Sequence, residues 1–489
     1  MKEALAQLFR HAFVFLIGLL FQRAARLFLL PLYWSAFSRA TFGLLDLFEV
    51  FIQVMLLTFS FGLPTAYIKF SRVDLREGAD AEALTATTMG LLLAGLAILG
   101  VVLLVFEAPL SWLFFEGRHP YLYTVAGLAI AANIAFLMLQ GVLRAGGRAV
   151  TFVVITSIQF LLLMGFNIWF IQFRGMGVAG ALWATVLGWG LPPVVYALLR
   201  VGHLRWRFRW DMARRILGFA LPLVPFAILV YAVTISGRLF LQHAPAYGAD
   251  AVGVLAAASR VALILNLVAV TPFQTAWGYL GLDFARRPDA PAIFGRSFTY
   301  LLAFGLWTFL AVSAAAREVV LLFGKTEYAP ALPYIDPLMA GYLMVLFFYW
   351  ANAPLMSVGA TRRIMLIALG PFAVAIVGGW LTIPVYGIPA ACLTFVTAMF
   401  LHAVLTAFFA NRIVPLAIEK ARVAKIVVAF VAIYGIGQAV LAVAIEWRLA
   451  VALVEIAAFP VVLWGTRFLT AGEIAEARAL WRRASGTGC

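Results

Sequence analysis

The sequence predicts an all-α, polytopic membrane protein with about 14 transmembrane helices. Three observations predict this fold class. Hydrophobic residues make up 65% of the 489 residues, whereas charged residues make up only 12%. A soluble protein could not bury so much apolar surface in its core. The apolar residues also fall into runs of the ~20 residues that a helix needs to cross a bilayer, and basic connections separate these runs.

The apolar runs follow one another with short connections along the whole chain. They lie near 11–34, 42–68, 84–106, 120–142, 149–172, 176–199, 216–242, 251–280, 297–323, 331–357, 363–384, 388–410, 426–445 and 449–466. Prolines inside several runs favour bent helices. The first run contains Arg23 and Arg26, unlike the short uncharged run of a cleavable signal, so we expect it to remain as the first helix.

Lysine and arginine are distributed unevenly between the two sides of the predicted membrane. Of the 36 residues of these two types, 26 fall on the side of both termini, 6 on the opposite side and 4 within the spans. Cytoplasmic loops carry such an excess, so we expect both termini in the cytoplasm. The net charge of +15 is then a topology signal, and the cluster Arg205–Trp210 is interpreted as a topogenic anchor, not a nucleic-acid patch.

An internal repeat relates the two halves of the chain. R-L-F-L occurs at 26–29 and again at 238–241, and Gly43 corresponds to Gly253 at an offset of 210 residues. Because each repeat contains six spans, we expect two similarly oriented six-helix bundles about a pseudo-twofold axis, with a site at the midplane between them.

The repeat divides the chain into five predicted segments. They are an N-terminal lobe at 1–200, a basic cytoplasmic linker at 201–215, a C-terminal lobe at 216–411, two extra helices at 412–470 and a cytoplasmic tail at 471–489. In the tail, Ile474, Leu480 and Trp481 lie opposite a basic face. This pattern favours an interfacial amphipathic helix, with a disordered tail as the alternative.

Four arginines lie within predicted spans, where a charge costs about 2.5–3.5 kcal/mol. Arg23 and Arg26 share a face of the first helix, and Arg238 and Arg260 belong to the second repeat. Guanidinium groups bind phosphate oxygens bidentately. We therefore predict a hydrated cationic cleft in which Arg26, Arg238 and Arg260, supported by Arg23, bind a pyrophosphate or an acidic sugar.

Two acids, Asp46 and Glu49, begin the second predicted helix at a depth similar to that of Arg26. One interpretation is a structural ion pair with Arg26. The other is a proton or cation site for coupling, which is less favoured because an acid beside an arginine stays ionised.

Arg238 and Arg260 have no acid near them in the sequence. The positions that match Asp46 and Glu49 in the second repeat are Ala256 and Ser259. This absence favours a substrate-binding role for the two arginines. Glu455, an isolated acid of the last span, is instead interpreted as a packing residue.

The sequence contains no signature of an enzyme, a metal site or a cofactor site. Its five histidines lack metal-ligand spacing, and no glycine-rich phosphate loop is present. Cys392 lies in an apolar run and Cys489 at the terminus, which makes a disulfide between them implausible.

Several motifs, in this order, resemble the polysaccharide-repeat flippases of the multidrug/oligosaccharidyl-lipid/polysaccharide exporter superfamily. They are L-P-L-Y-W at 30–34, F-G-L-L-D at 42–46, G-V-L-R-A-G-G-R at 141–148, L-G-F-A-L-P-L-V-P-F at 217–226, G-R-L-F-L at 237–241, V-G-V-L-A-A-A-S-R at 252–260, P-F-Q-T-A-W at 272–277 and I-P-V-Y-G-I-P-A-A at 383–391. Two positions depart from the family: relatives often have Asp at the position of Gly237 and Tyr at that of Leu255.

The resemblance implies a protein of the bacterial inner membrane that moves an undecaprenyl-pyrophosphate-linked oligosaccharide outward by alternating access. It implies membrane lipid as surroundings, and a polysaccharide polymerase and a chain-length regulator as candidate partners. Three alternatives stay open. They are a flippase for lipid II, the peptidoglycan precursor; a cation-coupled multidrug exporter; and a membrane glycosyl polymerase or ligase, which short outer loops disfavour.

Overall fold

The computed structural model describes residues 28–73, 81–200, 207–324, 326–443, 448–466, 468 and 473, and over these ranges it is helical with no strand. Twelve helices of this part of the chain are long and apolar enough to cross a membrane, and Ala450–Gly465 is a shorter apolar helix. The predicted fold class is thus confirmed. Arg23, Arg26 and most of the predicted first span lie outside the described residues, as does the predicted tail helix apart from Glu473.

The helices are numbered here in chain order. In the first half they are α1 Leu30–Ala36, α2 Arg39–Phe59, α3 Leu63–Val73, α4 Ala81–Val105, α5 Glu107–Phe115, α6 Pro120–Ala145, α7 Ala149–Asn167 and α8 Gly177–Arg200. In the second half they are α9 Trp210–Ala220, α10 Leu223–His243, α11 Gly248–Leu265, α12 Thr271–Phe284, α13 Ala290–Gly324, α14 Leu332–Ser357, α15 Thr361–Ala373, α16 Gly379–Tyr386, α17 Ile388–Asn411, α18 Lys420–Val443 and α19 Arg448–Gly465.

Helix starts recur along the chain with the spacing of the predicted repeat. Six pairs of helices begin 208 to 212 residues apart, namely α2 and α11, α3 and α12, α4 and α13, α6 and α14, α7 and α15, and α8 and α17. The last helix of each repeat has a glycine with a positive φ at its start. Gly177, the first residue of α8, has a φ of 57°, and Gly387, the residue before α17, has a φ of 63°. Residues with a side chain rarely adopt this conformation. The spacing supports the duplication that the sequence indicates.

Three spans are continued by π-helical segments, where one extra residue per turn widens the helix. These segments are Ile168–Phe173 after α7, Asn266–Val270 after α11 and Val374–Gly378 after α15. Such segments interrupt the regular hydrogen-bond ladder and occur often at functional sites. One of them directly follows the helix that carries Arg260.

By contacts the chain divides into two compact units. The first comprises the described residues up to Arg260 together with Val320–Tyr334 and Met365–Ala398, and the second comprises Val261–Val319, Ile335–Ile364 and the described residues from Met399 onward. These units divide several helices, including α13 and α17. The assignment of 1–200 and 216–411 to two lobes therefore remains a prediction.

The core of the first unit contains a cluster of aromatic side chains packed against the middle of α2. The Phe48 and Phe115 rings stack with their centroids 3.9 Å apart, and the Phe51 ring contacts Phe114 at 5.1 Å and Tyr123 at 5.4 Å. All five side chains are buried. This packing fixes α5 and the start of α6 against α2.

The core of the second unit centres on Trp350 of α14, which is 1% exposed. Its ring contacts those of Phe294 and Phe298 of α13, and its carbonyl oxygen accepts a hydrogen bond from Trp277 Nε1 at 3.1 Å. At another place in this unit, Arg422 Nη1 of α18 donates to Glu473 Oε1 at 3.1 Å.

The described part of the basic linker begins at Arg207 and is anchored to α4. The backbone amide of Arg209 donates to Thr87 Oγ1 at 3.0 Å, and the Arg209 guanidinium pairs with Asp211. Helix α9 starts at Trp210, before the predicted start of the span near 216, because its polar first turn is helical as well.

Candidate functional site

Helices α2 and α11 of the first unit approach each other at the two glycines that the repeat makes equivalent. A Cβ atom on Gly43 would lie 2.1 Å from the Ala249 carbonyl oxygen, and one on Gly253 would lie 1.9 Å from the Arg39 carbonyl oxygen. Any larger residue would therefore force the two backbones apart. Small residues allow such close contact between membrane helices. This crossing sets the distance between the polar side chains that follow on both helices.

An ionic cluster of two acids and two arginines lies on the same side of α2. Asp46 and Glu49 are three residues apart and share a helix face. Arg238 of α10 donates from Nε to Asp46 Oδ2 at 2.5 Å and from Nη1 to the Thr234 carbonyl oxygen at 3.1 Å. The second bond joins residues four apart on α10 and orients the guanidinium toward α2.

Arg260 of α11 contacts both acids through one nitrogen. Its Nη2 atom donates to Glu49 Oε2 at 2.5 Å and to Asp46 Oδ1 at 3.3 Å. Asp46 thus bridges the two arginines with its two oxygens. The four side chains join one helix of the first repeat to two helices of the second.

The cluster is buried and its formal charge is balanced. The exposed fractions are 5% for the Asp46 side chain, 7% for Arg260 and 11% for Arg238, whereas Glu49 keeps 27%. Two carboxylates compensate two guanidinium groups, which removes most of the cost of burying them. Glu49 is therefore the most exposed of the four side chains.

Although no acid is near Arg238 and Arg260 in the sequence, both have acidic partners in the structure. Their partners come from α2, about 200 residues away in the sequence, so proximity along the chain could not reveal them. Asp46 and Glu49 are ion-paired, as one interpretation expected, but their partners among the described residues are Arg238 and Arg260. The predicted pairing with Arg26 and the supporting role of Arg23 fall on residues outside the described ranges.

Close to this cluster, further polar contacts connect the ends of helices within the first unit. Arg39 Nε lies 3.2 Å from Asp250 Oδ1, and the Arg39 amide donates to Glu327 Oε1 at 3.1 Å. The Tyr328 hydroxyl donates to the Phe37 carbonyl oxygen at 2.9 Å, and the Tyr328 ring stacks on Trp34. All of these residues belong to the side that the charge distribution predicts to face outward.

A cavity of about 230 Å³ opens at the same end of α2. It is lined by Ala40, Thr41, Leu44, Phe115, Arg118, His119, Gln242 and Ala249. The Gln242 side-chain oxygen is buried and has no hydrogen-bond partner among the described residues. The sequence did not single out Gln242, because a glutamine near the end of an apolar span resembles an ordinary interfacial residue.

Two acids of the second unit, Asp336 and Glu455, make contacts between helices. Asp336 Oδ2 accepts hydrogen bonds from the Tyr434 hydroxyl at 2.6 Å and from Ser313 Oγ at 2.9 Å. Glu455 is 5% exposed and lies against Gly437, where a Cβ atom would overlap its carboxylate. Glu455 therefore packs between α19 and α18, in agreement with its interpretation as a packing residue. Within the described ranges, no three His, Cys, Asp or Glu side chains are placed to hold a metal ion.

Comparison with known proteins identifies solved structures with a similar fold. No protein-family model matches the sequence, and no curated protein matches it. A solved structure described as the inward-facing conformation of a multidrug resistance MATE family transporter of the MOP superfamily has a TM-score of 0.63 at 15% identity, covering 83% of this chain and 98% of that one.

Two further solved structures give similar values. The outward-facing conformation of a multidrug resistance MATE family transporter of the MOP superfamily has a TM-score of 0.58 at 17% identity, covering 83% of this chain and 95% of that one. A MATE structure in complex with MaD3S has a TM-score of 0.57 at 17% identity over the same shares. At these identities the likeness establishes the fold, and function has to be argued from the residues of this chain.

Proposed function

We propose that this chain is an alternating-access transporter that moves a polyprenyl-pyrophosphate-linked oligosaccharide from the cytoplasmic to the outer leaflet of a bacterial inner membrane. The observation that carries the proposal is the buried ionic cluster between α2 of the first repeat and α10 and α11 of the second. The shared fold with transporters described in inward-facing and outward-facing conformations supports the mode of action.

The cluster suits a mechanism in which the two repeats move apart. Separating α2 from α10 and α11 would leave two guanidinium groups and two carboxylates uncompensated in a medium of low dielectric constant, which is costly. A pyrophosphate headgroup carries the charge and the oxygens to replace the carboxylates on the arginines. The substrate would then stabilise the separated state, which is the requirement for coupling its binding to a conformational change.

Arg260 is suited to this exchange of partners. Its hydrogen bonds to the described residues all come from Nη2, whereas a guanidinium has five N–H donors. The remaining donors, on Nε and Nη1, can each bind one oxygen of a further ligand. Arg238 is the second proposed ligand, and Arg23 and Arg26 are further ligands proposed from the sequence.

A cation-coupled multidrug exporter is the second candidate function. Two structural neighbours are described as multidrug resistance transporters, and Glu49 is the most exposed member of the cluster. In this alternative an organic cation would displace an arginine from the acids, so the acids would be essential. The two candidates therefore differ in the charge of the ligand.

A proteoliposome assay separates the two candidates. We expect the purified protein to accelerate the transbilayer movement of a fluorescent polyprenyl-pyrophosphate disaccharide. The variant Arg260→Gln should lower the rate about 10- to 100-fold, as the loss of a charge-assisted hydrogen bond of ~1.5–3 kcal/mol implies. The matched control Arg39→Gln removes an arginine of an exposed ion pair between α2 and α11, and should keep the rate within about twofold.

Three results would change the assignment. Efflux of a cationic dye that depends on Glu49, without movement of the pyrophosphate lipid, would replace the proposed substrate by an organic cation. Movement of neither compound by folded protein would contradict the transporter proposal itself. Movement of lipid II but not of the disaccharide lipid would identify the peptidoglycan precursor as the substrate.

A further inference from the structure

The imidazole of His243, at the end of α10, contacts two carbonyl oxygens. Its Nδ1 atom lies 2.9 Å from the Leu239 carbonyl oxygen, and its Nε2 atom lies 3.1 Å from the Trp112 carbonyl oxygen. A carbonyl oxygen can only accept, so each ring nitrogen must donate. A neutral imidazole carries one N–H group, whereas the imidazolium carries two. Both contacts are hydrogen bonds only when His243 is protonated.

The two carbonyl groups belong to the ends of two helices. Leu239 lies four residues before His243, the final residue of α10, and Trp112 lies in the last turn of α5, where its oxygen also accepts the Glu116 amide at 3.1 Å. The C-terminal end of a helix carries partial negative charge and stabilises a cation. The His243 ring therefore lies where two helix C-termini converge.

A third contact also favours the cation. The Trp112 ring lies beside the imidazole, with centroids 4.9 Å apart and an interplanar angle of 51°. A positive charge near the face of an indole is attracted by its π-electrons. The contacts with the two carbonyl oxygens and this aromatic contact are the two observations on which the proposal rests.

We propose that His243 is a proton-binding site that ties α10 of the second repeat to α5 of the first. Deprotonation removes one N–H and leaves a nitrogen lone pair facing a carbonyl oxygen, so the contact between the two helix ends weakens. Protonation closes this contact. This proposal concerns only the pH-dependent contact between the two helix ends. A role of this contact in transport rests on the proposed function.

Other charged groups on the neighbouring elements have partners or lie elsewhere on their helices. The ionisable residues of the elements packed against α10 are Arg39, Asp46 and Glu49 of α2, Glu107 of α5, Asp211, Arg214 and Arg215 of α9, and Tyr386 of α16. Beyond α5 follow Glu116, Arg118 and His119. None of these side chains hydrogen-bonds the His243 ring in the described part of the chain, so His243 is the group assigned to the proton.

Distances between two spin labels test the proposal on the full-length protein without substrate. Labels are attached to cysteines that replace Arg118, in the loop after α5, and Ala246, after α10, in a background with Cys392→Ala and Cys489→Ala. Both side chains are exposed. At pH 5 we expect one short-distance population. At pH 8 a longer-distance population should appear, because loss of one proton removes one of the two hydrogen bonds.

Three variants give the controls. His243→Gln should show the same distribution at pH 5 and pH 8, and His243→Lys, which keeps a cation, should hold the short distance at both. His119→Asn, which changes the neighbouring histidine at a left-handed position with a φ of 67°, should keep the wild-type shift. An unchanged wild-type distribution, or a shift that persists in His243→Gln, would overturn the proposal. Either result is independent of whether the protein moves a pyrophosphate lipid.

Discussion

Replacement of Asp46 by Asn should destabilise the protein strongly, because Asp46 serves both arginines of the cluster. Its Oδ2 atom accepts from Arg238 at 2.5 Å and its Oδ1 atom from Arg260 at 3.3 Å. An asparagine side chain has one acceptor oxygen, so its NH₂ group would face the other guanidinium. The cluster would also gain a net positive charge at a position where the side chains of Asp46 and the two arginines are at most 11% exposed.

The magnitude follows from these contacts. At least one charge-assisted hydrogen bond is lost, about 1.5–3 kcal/mol, and an uncompensated buried charge remains, for a total of about 3–5 kcal/mol. The matched control Arg39→Gln breaks an ion pair whose side chains are 33% and 53% exposed, which should cost at most ~1 kcal/mol. The double variant Asp46→Asn with Arg238→Gln restores charge balance and should recover much of the loss.

Denaturant titration of the purified protein in detergent micelles, followed by tryptophan fluorescence, measures these differences. We expect the order of stability to be wild type, Arg39→Gln, the double variant and finally Asp46→Asn. An Asp46→Asn protein as stable as Arg39→Gln would show that the cluster does not stabilise the folded state. A double variant less stable than Asp46→Asn would refute the reasoning from charge balance.

Two further predictions concern helix packing and topology. Gly253→Ala places a Cβ atom 1.9 Å from the Arg39 carbonyl oxygen and should destabilise the protein by more than ~1 kcal/mol. The control Gly100→Ala, whose Cβ would have no atom within 4 Å, should be neutral or stabilising in the same denaturant titration. In cells, a cysteine replacing Arg118 should react with an impermeant thiol reagent added outside, and one replacing Arg207 should not; the reverse pattern would contradict the predicted orientation.

Similarity of fold to known transporters does not by itself identify a substrate. Structures with TM-scores of 0.57 to 0.63 share 15% to 17% identity with this chain, and folds of this kind host different substrates. For the proposed transporter, the choice of substrate therefore rests on the chemistry of the cluster. In this chain the acids Asp46 and Glu49 already have internal cations, which favours an anionic ligand that competes for the arginines.

The sequence by itself determined the helices and their repetition. Hydropathy depends on local composition, so the twelve long apolar helices agree with the predicted spans, and the equivalence of Gly43 and Gly253 could be read from a constant offset. The presence of arginines at membrane depth was equally evident, because a charged residue in an apolar run needs no knowledge of its neighbours.

Only the tertiary structure decided which charges meet. The Asp46 carboxylate and its two guanidinium partners are 192 and 214 residues apart in sequence, and a one-dimensional pattern cannot specify which helix faces pack together. The same holds for His243, whose Nε2 atom lies 3.1 Å from the carbonyl oxygen of a residue 131 positions away in the sequence. Hydropathy places a side chain in the membrane, whereas its chemical partners are set by the packing of helices that are distant in the chain.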